Sequence, residues 1–154
     1  DQLQPFGVQV VRQAEREVWL TKRNLDGSLE IEYEYDPERA PGAGEDISLM
    51  SSASIEPSES SARESFGMTL AAYRLGFGIY DVQARELPHA MPGADQSHFA
   101  LIVKDGNPVG NMVVVQQGKR VHGLLLIGLY FDDPQELDDL LRPTIDRSAG
   151  IPLR

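Results

Sequence analysis

Cysteine is absent from these 154 residues, which excludes disulfide staples, a thiolate nucleophile and cysteine-ligated zinc. Positive charge is scarce: 14 Lys and Arg stand against 24 Asp and Glu, a formal net charge of −10. A nucleic-acid backbone calls for a concentrated basic surface, so nucleic acid is disfavoured as a partner. The tight basic pairs, Lys22-Arg23 and Lys119-Arg120, sit beside turns, where charged side chains are expected in water. Long apolar runs are missing too. The longest, 123–131, is about half of the roughly 18 residues a membrane-spanning helix requires, so the chain reads as soluble with no transmembrane segment. No Gly-x-Gly-x-x-Gly follows a strand pattern, and no Ser/His/Asp order with an elbow motif occurs.

What is present is the pattern of one globular domain over 1–154, long enough to bury a substantial core. Three apolar runs, 98–103, 108–116 and 121–131, are separated by two short turns. Asp105-Gly106-Asn107 supplies residues that tolerate the positive φ a tight hairpin needs, and Gly118-Lys119 marks the second turn. The last run is apolar on both parities, so it predicts a central strand covered on both faces. Gly110, Gly123 and Gly128 fall inside these strands and imply close packing or bending of the sheet, with an approaching ligand as the functional alternative.

Upstream, 12–17 suggests a helical turn after a strand start at Val8, Val10 and Val11, and 17–23 a short strand around Trp19. A turn at 24–27 leads into 28–35, where Leu29, Ile31, Tyr33 and Tyr35 alternate with Glu30, Glu32 and Glu34. Period two with an apolar and an acidic face means a half-buried strand. The carboxylates read as a solvated face rather than a cation site. Residues 37–44 form a Pro/Gly loop and 46–55 another strand. Pro57 and Ser58 open a helix over 57–76 whose stripe is Ala62, Phe66, Leu70, Tyr73 and Phe77, with Gly76 and Gly78 as its stop. The serines around it (Ser51, Ser52, Ser54, Ser58, Ser60, Ser61) read as caps and strand-edge residues. Residues 79–87 give a further strand and 88–97 a loop. Asp133-Pro134-Gln135-Glu136 starts a second helix over 133–147, which Pro143 should kink or shorten.

The candidate chemistry is thin. His89, Asp95 and His98 flank one loop and would be the metal candidates if that loop folded back, but their spacing matches no ligand motif. His122 begins the last strand, with a strand partner expected near Met112. Asp132-Asp133 and Asp138-Asp139 are explained by helix capping and solvent exposure rather than by paired-carboxylate chemistry. No catalytic residue, cofactor or metal is therefore assigned.

The ending Lys119-Arg120-Val121-His122-Gly123-Leu124-Leu125-Leu126, then Tyr130-Phe131-Asp132-Asp133-Pro134 and Leu140-Leu141, resembles the PsbP-like group, which includes DcrB-like bacterial proteins. The likeness is one of topology over about 28–145. It implies an antiparallel sheet between helices and an accessory or assembly role on larger complexes, with no catalytic residues to carry over. The expectation is thus an α+β domain: an antiparallel sheet of about six or seven strands flanked by two main helices. Its expected role is a non-enzymatic accessory, assembly or subunit protein that binds a protein partner or larger complex through an acidic, helix-flanked surface. The alternative is a small-molecule- or metal-binding domain with its site between sheet and helices near His89, His98 and His122; a hydrolase using acidic residues ranks behind both. A start at Asp1 rather than Met leads to the expectation of a removed leader or an excised segment, hence an extracytoplasmic setting, periplasmic or lipoprotein-derived. Any membrane association would run through a partner or an unseen lipid anchor.

Overall fold

The computed structural model describes residues 10–19, 27–35, 48–79 and 81–149. Among these the order is β1 (Val10–Trp19), β2 (Gly27–Tyr35), β3 (Ser48–Ile55), α1 (Glu59–Ile79), β4 (Gln83–Leu87), β5 (Gln96–Lys104), β6 (Asn107–Gln117), β7 (Arg120–Ile127) and α2 (Pro134–Ala149). The strands form one antiparallel sheet in the order β1-β2-β3-β7-β6-β5-β4. The α+β class, the antiparallel sheet and the two helices are as expected. Lys22-Arg23, the turn residues 24–26, the loop at 37–44 and the tail from 150 lie outside the described residues. No described helix is long and apolar enough to cross a membrane.

The meander forms because its turns are encoded locally. Asp105 and Gly106 both take positive φ, 51° and 80°, as a two-residue turn between Lys104 and Asn107 requires. Gly118 has φ 58° between the paired Gln117 and Arg120. β7 is central, between β3 and β6, and both its faces are covered. Adjacent residues of a strand point to opposite faces, and the packing divides accordingly. On one side Val121 and Val114 meet Ala62 and Phe66 of α1, while Ala100, Ile102 and Met112 meet Phe77. On the other side Leu124, Leu126, Val113, Val115 and Phe99 meet Leu137 and Ile145 of α2.

Two glycines are required by close approach. A Cβ on Gly123 would stand 2.7 Å from Ser52 Oγ and 2.8 Å from the Tyr73 hydroxyl, so this gap is where α1 settles onto the sheet. A Cβ on Gly110 would stand 2.0 Å from the Leu126 carbonyl oxygen. Gly110 adjoins a bulge, since Ile102 pairs with Gly110 but Val103 pairs with Pro108, leaving Val109 as the extra residue. The close-packing and bending explanation of these strand glycines therefore accounts for both positions.

Several local expectations are corrected. Residues 12–17 are strand, not a helical turn: β1 pairs along β2, with Arg12 opposite Glu34 and Arg16 opposite Glu30. Long-range backbone pairing along β2 overrides the weak helix preference of that stretch. Of the strand expected over 17–23, residues 17–19 belong to β1 and the remainder lies outside the described residues. α1 runs through Gly76 and Gly78 to Ile79, so β4 starts only at Gln83. Each helical glycine costs about 1 kcal/mol, which burial of Phe77, worth about 2–3 kcal/mol, offsets. The helix actually ends where Asp81 takes φ 54° and the Val82 amide donates to the Phe77 carbonyl at 3.1 Å. That is the bond of a Schellman closure, with Val82 packed against the cluster that contains Phe77. β7 stops at Ile127 rather than reaching Phe131. The chain beyond it is held by buried Asn111, whose Oδ1 accepts from the Phe131 amide (2.7 Å) and whose Nδ2 donates to the Phe131 carbonyl (3.0 Å). Pro143 does not shorten α2, which continues to Ala149. Pro143 and Asp139 are both exposed, so the carbonyl that loses its partner can turn to water.

Candidate functional site

Both helix starts behave as their sequences dictate. Ser58 Oγ accepts from the Ser61 amide at 3.1 Å, and Asp133 Oδ1 accepts from the Gln135 amide at 2.9 Å. From that cap α2 turns Leu137, Asp138 and Ile145 inward, and Asp138 is completely buried. A carboxylate taken out of water is very costly unless it is paired and hydrogen-bonded. Here one oxygen accepts from His89 Nε2 at 2.9 Å, and the other accepts from Arg142 Nη2, one helical turn along. Arg142 Nη1 also donates to the Pro92 carbonyl at 3.2 Å. The His89 ring stands edge-on to Phe99, centroids 4.8 Å apart. His89, Asp138 and Arg142 thus latch the 88–95 loop to α2 and to the sheet.

The loop is tied down along its length. The Met91 amide donates to Ser97 Oγ at 3.0 Å, the Asp95 amide to the Gln116 carbonyl at 2.9 Å, and Gln117 Nε2 to the Gly93 carbonyl at 3.2 Å. Between loop, sheet and α2 lies a small cleft of about 230 Å3, counting the open space at its mouth, lined in part by Met91, Gln117, Arg142 and Asp146.

The three metal candidates, His89, Asp95 and His98, are not brought together. His89 is engaged with Asp138. Asp95 Oδ2 accepts from the Gly118 amide at 2.6 Å and so fixes the β6–β7 turn. His98 pairs with Val114 on the α1 side of the sheet, opposite to the face that His89 occupies. Among the described residues no three His, Asp or Glu side chains could hold a metal ion. His122 pairs with Val115 and Ala53, not near Met112. Burial on the central strand pushes its pKa down to about 4, and the Arg120 charge acts in the same direction. His98 is lowered chiefly by burial, with Glu86 opposing and Arg74 reinforcing the shift.

Asp138 is the residue that sequence reasoning missed. Sequence alone places it with Asp139 as solvent-exposed, and only Asp139 is: it accepts from Gln135 Nε2 on the outer side of α2. The available signal was helical spacing, because Asp138 lies between the apolar Leu137 and Leu141 and four residues before Arg142.

A second feature is the outside of α1. Its inner side is the expected stripe, but Gly67, Met68, Ala71, Ala72 and Leu75 on the outside are exposed. Met68 is 72% and Leu75 74% accessible, and the two lie seven residues apart on one line of the helix. Residues 65–73 carry no charge on any side.

The geometry defines a class: an α+β domain whose antiparallel sheet is packed between two helices, one of them apolar on its outer face. Compared with known proteins, the chain matches no family model, no curated protein and no solved structure.

Proposed function

We propose that this chain is a non-enzymatic accessory or subunit domain that binds a protein partner through the outer face of α1. The observation that carries this is the exposed line of Met68, Ala71, Ala72 and Leu75 on a helix that has no charge between Ser65 and Tyr73. A surface helix normally turns polar residues outward, and an apolar exterior marks a surface that something else covers. The small residues between the two large ones let a partner approach the backbone closely. Negative net charge favours a neutral or basic partner surface.

The test is native mass spectrometry of the protein from its own source, with wild type beside a Met68→Glu/Leu75→Glu double variant. The expected result is a wild-type assembly that the double variant loses while its far-ultraviolet circular dichroism stays unchanged. A lone species of this chain carrying a metal or small-molecule mass would overturn the proposal in favour of a ligand-binding domain.

A further inference from the structure

We draw no further inference here: the strongest candidate, the exposed apolar stripe of Met68, Ala71, Ala72 and Leu75 along the outer face of α1, belongs to the surface already assigned to the proposed partner, and nothing in the structure shows what covers it.

Discussion

The two helices sit on opposite faces of one sheet and are built by opposite rules. α2 is amphipathic in the ordinary sense, with Leu137 and Ile145 inward and Gln135, Glu136, Asp139 and Asp146 outward. It also buries one carboxylate, so its position depends on a polar latch. α1 is held by shape: Ala62, Phe66 and Phe77 pack on the strands, and the Tyr73 hydroxyl drops into the space above Gly123. Its outer side is charged at Arg63, Glu64 and Arg74 but exposes Met68, Ala71, Ala72 and Leu75 between them. Packing within the domain explains both faces of α2 but only one face of α1.

That contrast can be broken from the α2 side with the largest effect. Asp138→Ala removes the shared acceptor of His89 and Arg142 and should cost about 3 kcal/mol in urea unfolding. Replacing Asp139, one residue away and exposed, should change stability by less than about 0.5 kcal/mol. Equal effects at the two positions would refute the latch.

Acid should act on the sheet between the helices. The folded-state pKa of His122 is about 4 against an ordinary 6.5. Between those values the unfolded chain takes up a proton that the folded chain refuses. His122 therefore contributes full stability above about pH 6.5, and that contribution falls as the pH drops towards 4, by about 3 kcal/mol at most. His98 shifts in the same direction and adds to the slope. Thermal melts from pH 7.5 to 4.5 should fall more steeply for wild type than for His122→Leu; parallel curves would remove His122 as the cause.

On the α1 side, Gly123→Ala forces Tyr73 and Ser52 to shift and should cost about 1–2 kcal/mol, measured by denaturant titration against Tyr73→Phe. If Gly123→Ala loses nothing in the Tyr73→Phe background, the hydroxyl is the obstruction; an unchanged loss points to Ser52 Oγ instead. Asp81→Gly relieves a left-handed residue at the helix end and should raise stability by about 0.5–1 kcal/mol; a lower melting temperature would argue against the Schellman closure. The smallest effect is expected where the contrast is sharpest. Met68→Glu and Leu75→Glu should each leave stability within about 0.5 kcal/mol of wild type, because neither side chain packs inside the domain.

Local chemistry accounts for the parts that were legible beforehand. Asp105-Gly106 can only be a tight turn between apolar runs, Ser58 and Asp133 are good caps, and a strand apolar on both parities must be covered twice. The stretch 12–17 reads locally as a helical turn because helix propensity is a local quantity, whereas the partner that makes it a strand is β2. Gly76 and Gly78 suggested an end to α1 that Phe77, anchored on β5 and β6, did not permit. The site was less legible than the fold. His89 and Asp138 are 49 residues apart, and nothing near either one announces the other.

Fold class, the meander with its turns, the helix starts and the exclusion of cysteine chemistry are thus readable from the order of residues along the chain. Long-range packing, in contrast, sets β3 beside β7, puts His89 and His98 on opposite faces, buries Asp138, and leaves Met68 and Leu75 facing outward. Turns, caps and periodicity depend on neighbours within a few residues. Burial and the pairing of charges depend on which distant segments the sheet brings together.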